Sequence, residues 1–436
     1  MNGRLVIGFL AASLVTQEAS AQDAAPTLRI EDAVQLALSR NERAKISDLN
    51  VTVASAAVAR AVSPFLPTAS FNANATQRPD DIVRQGQPST IGTASVTVTQ
   101  PLLNAAAIPL FAQARQNLEA QKAQTVDDKR LLAFDVTRAF FAALSADAVL
   151  IAAQRKLDTS TANLADARAR ADAQLASTND ATRALIDLAA SEREVELDRG
   201  SQKATYIQLA YTINAPPPSG LTVPAAVLRA GREPVPRLES LLGVALNHRP
   251  DLAAKSHLAA AAHDSAREPL LRLVPVLGLS GSFSATTNTA AATAGGTTPH
   301  WNDEFLQATL SWPIYDAGIR YADRRSRDAL ANIADLTTAQ LSRTVDAEVR
   351  SAVVALEASQ AALTASEQAM NAARQSADET AILYHQGLAK AIELVDANNQ
   401  RFIAEVNYST AEYSTALAYL ALRQALGLDP FGTELK

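Results

Sequence analysis

No cysteine occurs among the 436 residues, which excludes disulfides, thiolate metal sites and a lipid anchor on an N-terminal cysteine. Aromatic residues make up only 5% of the chain, few for a conventional compact core of this size. Positive charge is not in excess: 39 Lys and Arg face 45 Asp and Glu, a formal charge of −6. That balance gives no electrostatic footprint for nucleic acid, and no nucleic-acid partner is expected. Beyond the N-terminal segment, the long uncharged stretches, 85–114, 204–228 and 273–302, are interrupted by Pro and Gly and rich in polar residues, unlike a spanning helix. The most apolar stretch, Leu131 to Ala153, carries Asp135, Arg138 and Asp147, so no membrane-spanning helix is expected. His248, His257, His263, His300 and His385 show no metal-ligand spacing, and no phosphate-binding loop or nucleophile motif stands out. The expectation is a chain with no enzymatic activity, no metal and no cofactor.

What is present begins with a secretory pattern. Arg4 supplies a positive charge, Leu5 to Val15 an apolar core, and Ala19-Ser20-Ala21 a cleavage site before Gln22. Residues 1–21 therefore read as a signal peptide, and the mature chain as exported and not lipidated. An exported chain without a spanning helix is either soluble or crosses a membrane as a closed β-barrel.

The chain then says the same thing twice. Leu66-Pro67, an alternating stretch and Gln100-Pro101-Leu102 precede one long helix-forming run. Val274-Pro275, another alternating stretch and Trp312-Pro313-Ile314 precede a second. Pro67 and Pro275 stand 208 residues apart, and Pro101 and Pro313 stand 212 apart. Ala173-Gln174-Leu175-Ala176 and Gln386-Gly387-Leu388-Ala389 stand 213 apart. Such a repeat fixes the architecture before any local reading.

Four segments, 68–77, 92–103, 276–285 and 305–313, alternate with period two. In the first, Ala69, Phe71, Ala73 and Ala75 oppose Ser70, Asn72, Asn74 and Thr76. In the third, Leu277, Leu279, Gly281 and Phe283 oppose Gly278, Ser280, Ser282 and Ser284. Strands of this kind suit lipid on one side and water on the other, or a soluble hairpin with one wet face. The connections Arg78 to Ile91 and Ala285 to Phe305 are long and rich in turn-forming residues, as external loops of two hairpins would be. Four strands cannot close a barrel, for which about eight is the minimum, so a barrel requires several chains.

After each strand pair comes a run almost free of Gly and Pro. In the second, Val349, Leu356, Leu363, Met370, Ala377 and Tyr384 recur every seven residues. The smaller Ala352, Ser359, Ser366, Ala373 and Thr380 precede successive members by four. The first run carries the same ladder as Val136, Ala143, Leu150, Leu157, Leu164 and Ala171. A sustained seven-residue period means coiled-coil packing. About 70 helical residues reach roughly 100 Å. The return path is two stacked shorter helices in each copy: 180–213 with 41–63, and 391–426 with 251–273. The Pro-rich linker 215–237 is placed as a belt around the middle of the cylinder. The expected organisation is a first repeat 22–214, the linker, a second repeat 238–428 and a tail 429–436.

The chain resembles the TolC-like outer membrane efflux protein family along nearly its whole mature length. The residues that carry the resemblance are His248-Arg249-Pro250-Asp251-Leu252, Trp312-Pro313-Ile314-Tyr315-Asp316-Ala317-Gly318 and Tyr384-His385-Gln386-Gly387-Leu388-Ala389. Glu393-Leu394-Val395-Asp396-Ala397 and Ala425-Leu426-Gly427 complete the series. The resemblance implies a mainly α fold with a small β part. Four transmembrane strands per chain would build a twelve-stranded barrel in a homotrimer, above a long periplasmic α-helical barrel. It implies contact with outer-membrane lipid, a periplasmic adaptor and an inner-membrane transporter. The adaptor would dock on the tips, at Gln174, Leu175 and Ala176 and at Gly387, Leu388, Ala389 and Lys390. The first tip has Gln174 where the family commonly has Gly, and Ala389 stands where a basic residue is frequent.

The resemblance also matches Asp180, Glu393 and Asp396 to acids that line the periplasmic aperture. Three-fold symmetry would make each a ring of carboxylates that attracts cations; taken singly, each is also an ordinary solvated helix acid. Tyr384 packs across the aperture or is the last rung of its ladder. The function implied is a passive exit duct for small molecules. The same fold as a duct for a secreted polypeptide, and a structural trimeric coiled-coil surface protein, are the alternatives.

Overall fold

The structure, a computed structural model, describes residues 27–79, 90–288 and 300–432. The expected signal peptide, most of the two inter-strand connections and residues 433–436 lie outside the described residues.

The chain opens with α1 (Ile30–Arg40) and α2 (Glu42–Val62), then strands β1 (Thr68–Gln77) and β2 (Thr90–Leu103). The long α3 (Ala107–Asp172) runs out and α4 (Thr178–Ile213) returns. Short α5 (Ala225–Gly231) and α6 (Leu238–His248) lead to α7 (Pro250–Ala266) and α8 (Glu268–Leu271). The second copy then has β3 (Val276–Asn288), β4 (His300–Ser311), the long α9 (Ile319–His385) and the returning α10 (Ala391–Ala425).

The four strands form one antiparallel sheet in the order β1-β2-β3-β4, so the two repeats meet through β2 and β3. Thr97 faces Ser282 across that seam, and their hydroxyls lie 3.3 Å apart. β1 and β4 are unpaired on their outer sides and expose most of their side chains.

The strand ends depart from the sequence expectation. β4 begins at His300 instead of 305, because Asp303 and Glu304 are drawn into the ladder opposite Ser284 and Phe283. Acidic residues are poor strand formers, so the pattern alone stopped short of them. β4 ends at Ser311, two residues before Pro313, which has no N–H to donate. β2 instead carries Pro101 inside its last turn of pairing, and the register shifts there.

Below the sheet the helices form a single wall. Its upper half runs α2, α3, α7, α9 and its lower half α4, α3, α10, α9. The heptad ladder is consumed inside the chain: Val345, Val349, Leu356, Leu363, Met370, Ala377 and Tyr384 are all buried. In α3, Val136, Ala143, Leu150 and Leu164 are buried likewise. A coiled-coil surface protein would instead aim this ladder at a central axis shared between chains. Contrary to expectation, α3 contains a window apolar enough to cross a membrane, but half of that window is buried within the chain. The helix spends this hydrophobicity on the belt core, where Ala133, Phe134, Phe140 and Phe141 pack against Ile30 and Val34 of α1 and Leu209 and Ile213 of α4.

The belt comprises more than the linker. α5 contributes Val227 to this first core. α6 builds a second, setting Leu241 and Ala245 against Val345, Val349 and Leu356 of α9 and Leu422 and Ala425 of α10. Leu28 pairs its backbone with Gly220 and Thr222, tying the start of the described chain to the linker.

At belt height the return helices stack end to end, and the two copies join them with different chemistry. In the first, Asn41 donates to the Thr212 carbonyl (2.8 Å) and Asn214 to the Arg40 carbonyl (3.2 Å). In the second, Arg130 donates to the Gln424 carbonyl (2.7 Å) and Arg249 to the Ala425 carbonyl (3.3 Å). These two cations sit on the negative end of the α10 dipole. Arg249 also pairs with Asp251 at 2.6 Å and with Glu348, and Arg130 pairs with Asp127 at 2.6 Å. Burial pushes the Asp127 carboxyl up despite Arg130. Burial acts the same way on Asp251, but hydrogen bonds from Arg249 outweigh it and hold that carboxyl low.

Candidate aperture and docking tips

The far end of the wall carries two hairpin turns, residues 173–177 and 386–390. Each begins with a helix C-terminus closed by a left-handed residue, which is Gln174 (φ 59°) in the first and Gly387 (φ 77°) in the second. The N–H of Leu175 reaches the Arg170 carbonyl at 2.8 Å, and that of Leu388 reaches the Leu383 carbonyl at 2.9 Å. Gln174 and Gly387 bond the carbonyls of Ala171 and Tyr384 at 3.0 Å. Both turns are therefore the same helix-terminating motif. Gln174 adopts the glycine conformation at the strain cost of a Cβ, and the two tips share one geometry.

In this motif the apolar residue after the left-handed position commonly folds back onto the helix. Here it does not: Leu175 is 80% and Leu388 73% exposed. Ala176 and Ala389 lie half-buried behind them, and Gln174, Gly387 and Lys390 are exposed.

The next helices start in equivalent ways. The Ser177 hydroxyl accepts the Asn179 N–H at 3.1 Å, capping α4. The Glu393 carboxylate accepts the Lys390 N–H at 3.0 Å, so this acid is also a helix cap. Asp180 and Glu393 stand 213 residues apart and occupy the same turn of the two repeats, Asp180 half-buried and Glu393 exposed. Asp396 is exposed one turn further, where the first repeat has the exposed Arg183. The acidic pair is thus matched between repeats at one level and opposed by a cation at the next.

Tyr384 is 6% exposed and packs on Ala391 and Leu394 of its own chain. Burial raises its phenol above the usual range, the Asp166 and Asp180 carboxylates add to the effect, and Arg170 opposes it. Arg170 was not singled out in the sequence, yet it bridges the two repeats here. Its guanidinium stacks on the Tyr384 ring at 4.7 Å and donates to the Tyr384 carbonyl at 3.1 Å. It also approaches His385 Nδ1 at 3.3 Å and is held by Asp166 at 2.9 Å. Only the i, i+4 spacing of Asp166 and Arg170 hinted at a pair, and nothing in the sequence joined that pair to Tyr384 and His385. Among the described residues, no group of three His, Asp or Glu side chains is arranged to hold a metal ion.

Residues 241–428 match the model of the family described as outer membrane efflux protein. The second repeat belongs to the outer membrane efflux protein family. Three solved structures share the architecture of the whole chain. CusC superposes with a TM-score of 0.78 at 16% identity, covering 94% of this chain and 95% of its own. VceC of Vibrio cholerae gives 0.73 at 17% identity, covering 91% and 96%. The Neisseria gonorrhoeae MtrE outer membrane channel, solved in its open state, gives 0.75 at 20% identity, covering 92% and 89%. At these identities the likeness establishes the fold. No curated protein sequence matches the chain.

Proposed function

We propose that this chain is the outer-membrane component of a tripartite export system: a passive exit duct for small molecules, with its helical wall in the periplasm. The observation that carries this reading is the open sheet. β1 and β4 present unpaired edges, and the strands face outward on both surfaces of a sheet too narrow to enclose anything. In a membrane every backbone N–H and C=O must be paired, so the edges must meet those of other copies. Three copies place twelve strands in one barrel and continue each strand pair into the helical wall.

The same logic holds along the wall. Its two edges expose Ile46, Leu49 and Val53 on α2, Ile207 and Tyr211 on α4, and Leu330, Ile333 and Leu336 on α9. These stripes suit burial between neighbouring copies in a homotrimer.

At the tips, the exposed Leu175 and Leu388, with Gln174, Ala176, Gly387, Ala389 and Lys390, are the surface we assign to a periplasmic adaptor. An inner-membrane transporter would supply the energy. Asp180, Glu393 and Asp396 line the aperture, and their charges favour cations there. Two experiments test the reading. The purified protein in a planar bilayer should conduct as a trimer, and absence of conductance even in Glu393→Gln/Asp396→Asn would overturn it. A photo-crosslinker at Leu388 in cells should capture a periplasmic adaptor; capture of none would remove the docking assignment.

A further inference from the structure

Beneath the sheet of the second repeat, α7, α8 and the start of α9 line an open cavity of about 460 Å³. Its floor is Leu270 and Leu271, and its rim carries Arg267, Arg324, His263 and Asp328. None of these residues belongs to the tips or the aperture.

Its depth is set by the elements around it. α8 ends at Leu271 and β3 begins at Val276; β4 ends at Ser311 and α9 begins at Ile319. The Trp312 indole N–H donates to the Leu273 carbonyl at 3.0 Å and ties the two connections together. Leu273, Trp312, Ile314, Tyr315, Ile319 and Tyr321 are all exposed at this level. Aromatic and apolar side chains banded where a barrel ends mark the membrane–water interface. The cavity therefore sits at headgroup depth in the leaflet that faces the helices.

Arg325 marks the belt side of α9 beside this pocket. Arg325, next to Arg324, stands at the same heptad position as Gln360 and Glu367. Gln360 donates to the carbonyls of Gly231 and Glu233, and Glu367 pairs with Arg232. Arg325 therefore lies on the belt side of α9, which in the proposed duct is the outer surface.

The rim charges are loosely held. Arg324 approaches Asp328 at 3.4 Å, and Arg267 approaches Asp264 at 3.5 Å with its side chain 74% exposed. His263 lies 2.9 Å from Asp335. Exposed pairs of this kind contribute little and exchange readily. Arg325 is exposed and pairs with no acid among the described residues.

We propose that this cavity binds an anionic glycerophospholipid. Arg267 and Arg324 hold the phosphate, and Leu270 and Leu271 take the first methylenes of an acyl chain. Guanidinium forks match phosphate oxygens in geometry and charge, and a basic pocket at the membrane boundary is the usual setting for such a contact. Asp328 keeps Arg324 at the rim. The inference rests on the reading of the chain as an outer-membrane duct.

Native mass spectrometry of the detergent-solubilised protein tests it, with phosphatidylglycerol, phosphatidylcholine and inorganic phosphate as probes. Phosphatidylglycerol should be retained about tenfold more than phosphatidylcholine, and Arg267→Gln/Arg324→Gln should abolish that preference. Arg267→Lys/Arg324→Lys should keep most of it. Equal retention of the two lipids, an unchanged preference in the Gln variant, or inorganic phosphate competing fully at equal concentration would overturn the proposal. Trimer mass and bilayer conductance, read on the same samples, report on the duct itself; their persistence alongside lost lipid selectivity separates the two failures.

Discussion

At the scale of single residues, backbone conformation makes the sharpest predictions. Gly387 and Gly427 both have φ of 77°, but their surroundings differ. A Cβ on Gly387 meets nothing within 4 Å, whereas one on Gly427 would lie 2.8 Å from the Arg249 Cα. Gly387→Ala should therefore cost only the left-handed strain, about 1 kcal/mol. Gly427→Ala adds a backbone clash and should cost about 2–4 kcal/mol, seen as the larger fall in thermal midpoint. Gln174→Gly should act in the opposite sense. Relief of strain at the first tip is worth about 0.5–1 kcal/mol, read as slower hydrogen exchange of the 173–177 amides. The internal repeat made the position of that turn legible, because Gln174 aligns with Gly387. What the letter Gln hid was that the backbone hydrogen bonds of the turn can impose a glycine conformation on it. The Arg170 bridge was not legible at all, since its partners lie more than 200 residues away and no periodicity connects them.

At the scale of elements, the paired joints show how one geometry tolerates two chemistries. Asparagines in the first copy exchange neutral hydrogen bonds; arginines in the second hold helix carbonyls and carboxylates together. Arg249→Ala leaves the part-buried Asp251 without its cation, while the exposed Glu348 is rehydrated, and should destabilise the protein by about 3 kcal/mol, the low end of the cost of breaking a buried pair. Asn41→Ala, at the matching position, should cost about 1–2 kcal/mol, the cost of a cap and one carbonyl partner. The acid response follows from the same network. Asp251 is held low by Arg249, and Glu405 by Arg374 and Arg401, burial opposing in both cases. Groups with depressed folded values stabilise above their ordinary range and lose that contribution as pH falls through it. Thermal midpoints should therefore drop as pH is lowered below the usual values of 4.5 for Glu405 and 3.8 for Asp251, and Glu405→Gln should flatten part of that drop. The long helices themselves were readable from the seven-residue ladder: every rung in α9 and four of the six in α3 are buried where the spacing placed them, Leu157 and Ala171 being half-buried. The strand ends were less so. Asp303 and Glu304 are paired by their neighbours' ladder, and local propensity carries no record of a partner strand.

At the scale of the whole molecule, the sheet and the wall impose the same requirement. Alternation, the duplicated layout and the missing strands were all visible in the sequence, and together they pointed past the single chain. The electrostatics of the proposed aperture would depend on the same assembly. Asp180 and Glu393 coincide between repeats, whereas Asp396 shares its level with Arg183. Neutralising Glu393 as Glu393→Gln keeps an acceptor for the Lys390 N–H and should lower cation over anion permeability in bilayer recordings. Asp396→Asn should change it less, because the equivalent position of the first repeat carries the cation Arg183.

The sheet order has a consequence for how such an object is made. Three of the four strand junctions needed per subunit, counting the one to a neighbour, are complete before any encounter, so assembly repeats a single kind of contact, β4 of one copy onto β1 of the next. A head-to-tail contact of that kind has no built-in stop; only curvature tells it when the ring is finished. In the proposed duct, unassembled subunits are thus potential filaments unless one raw margin stays occupied until the ring closes.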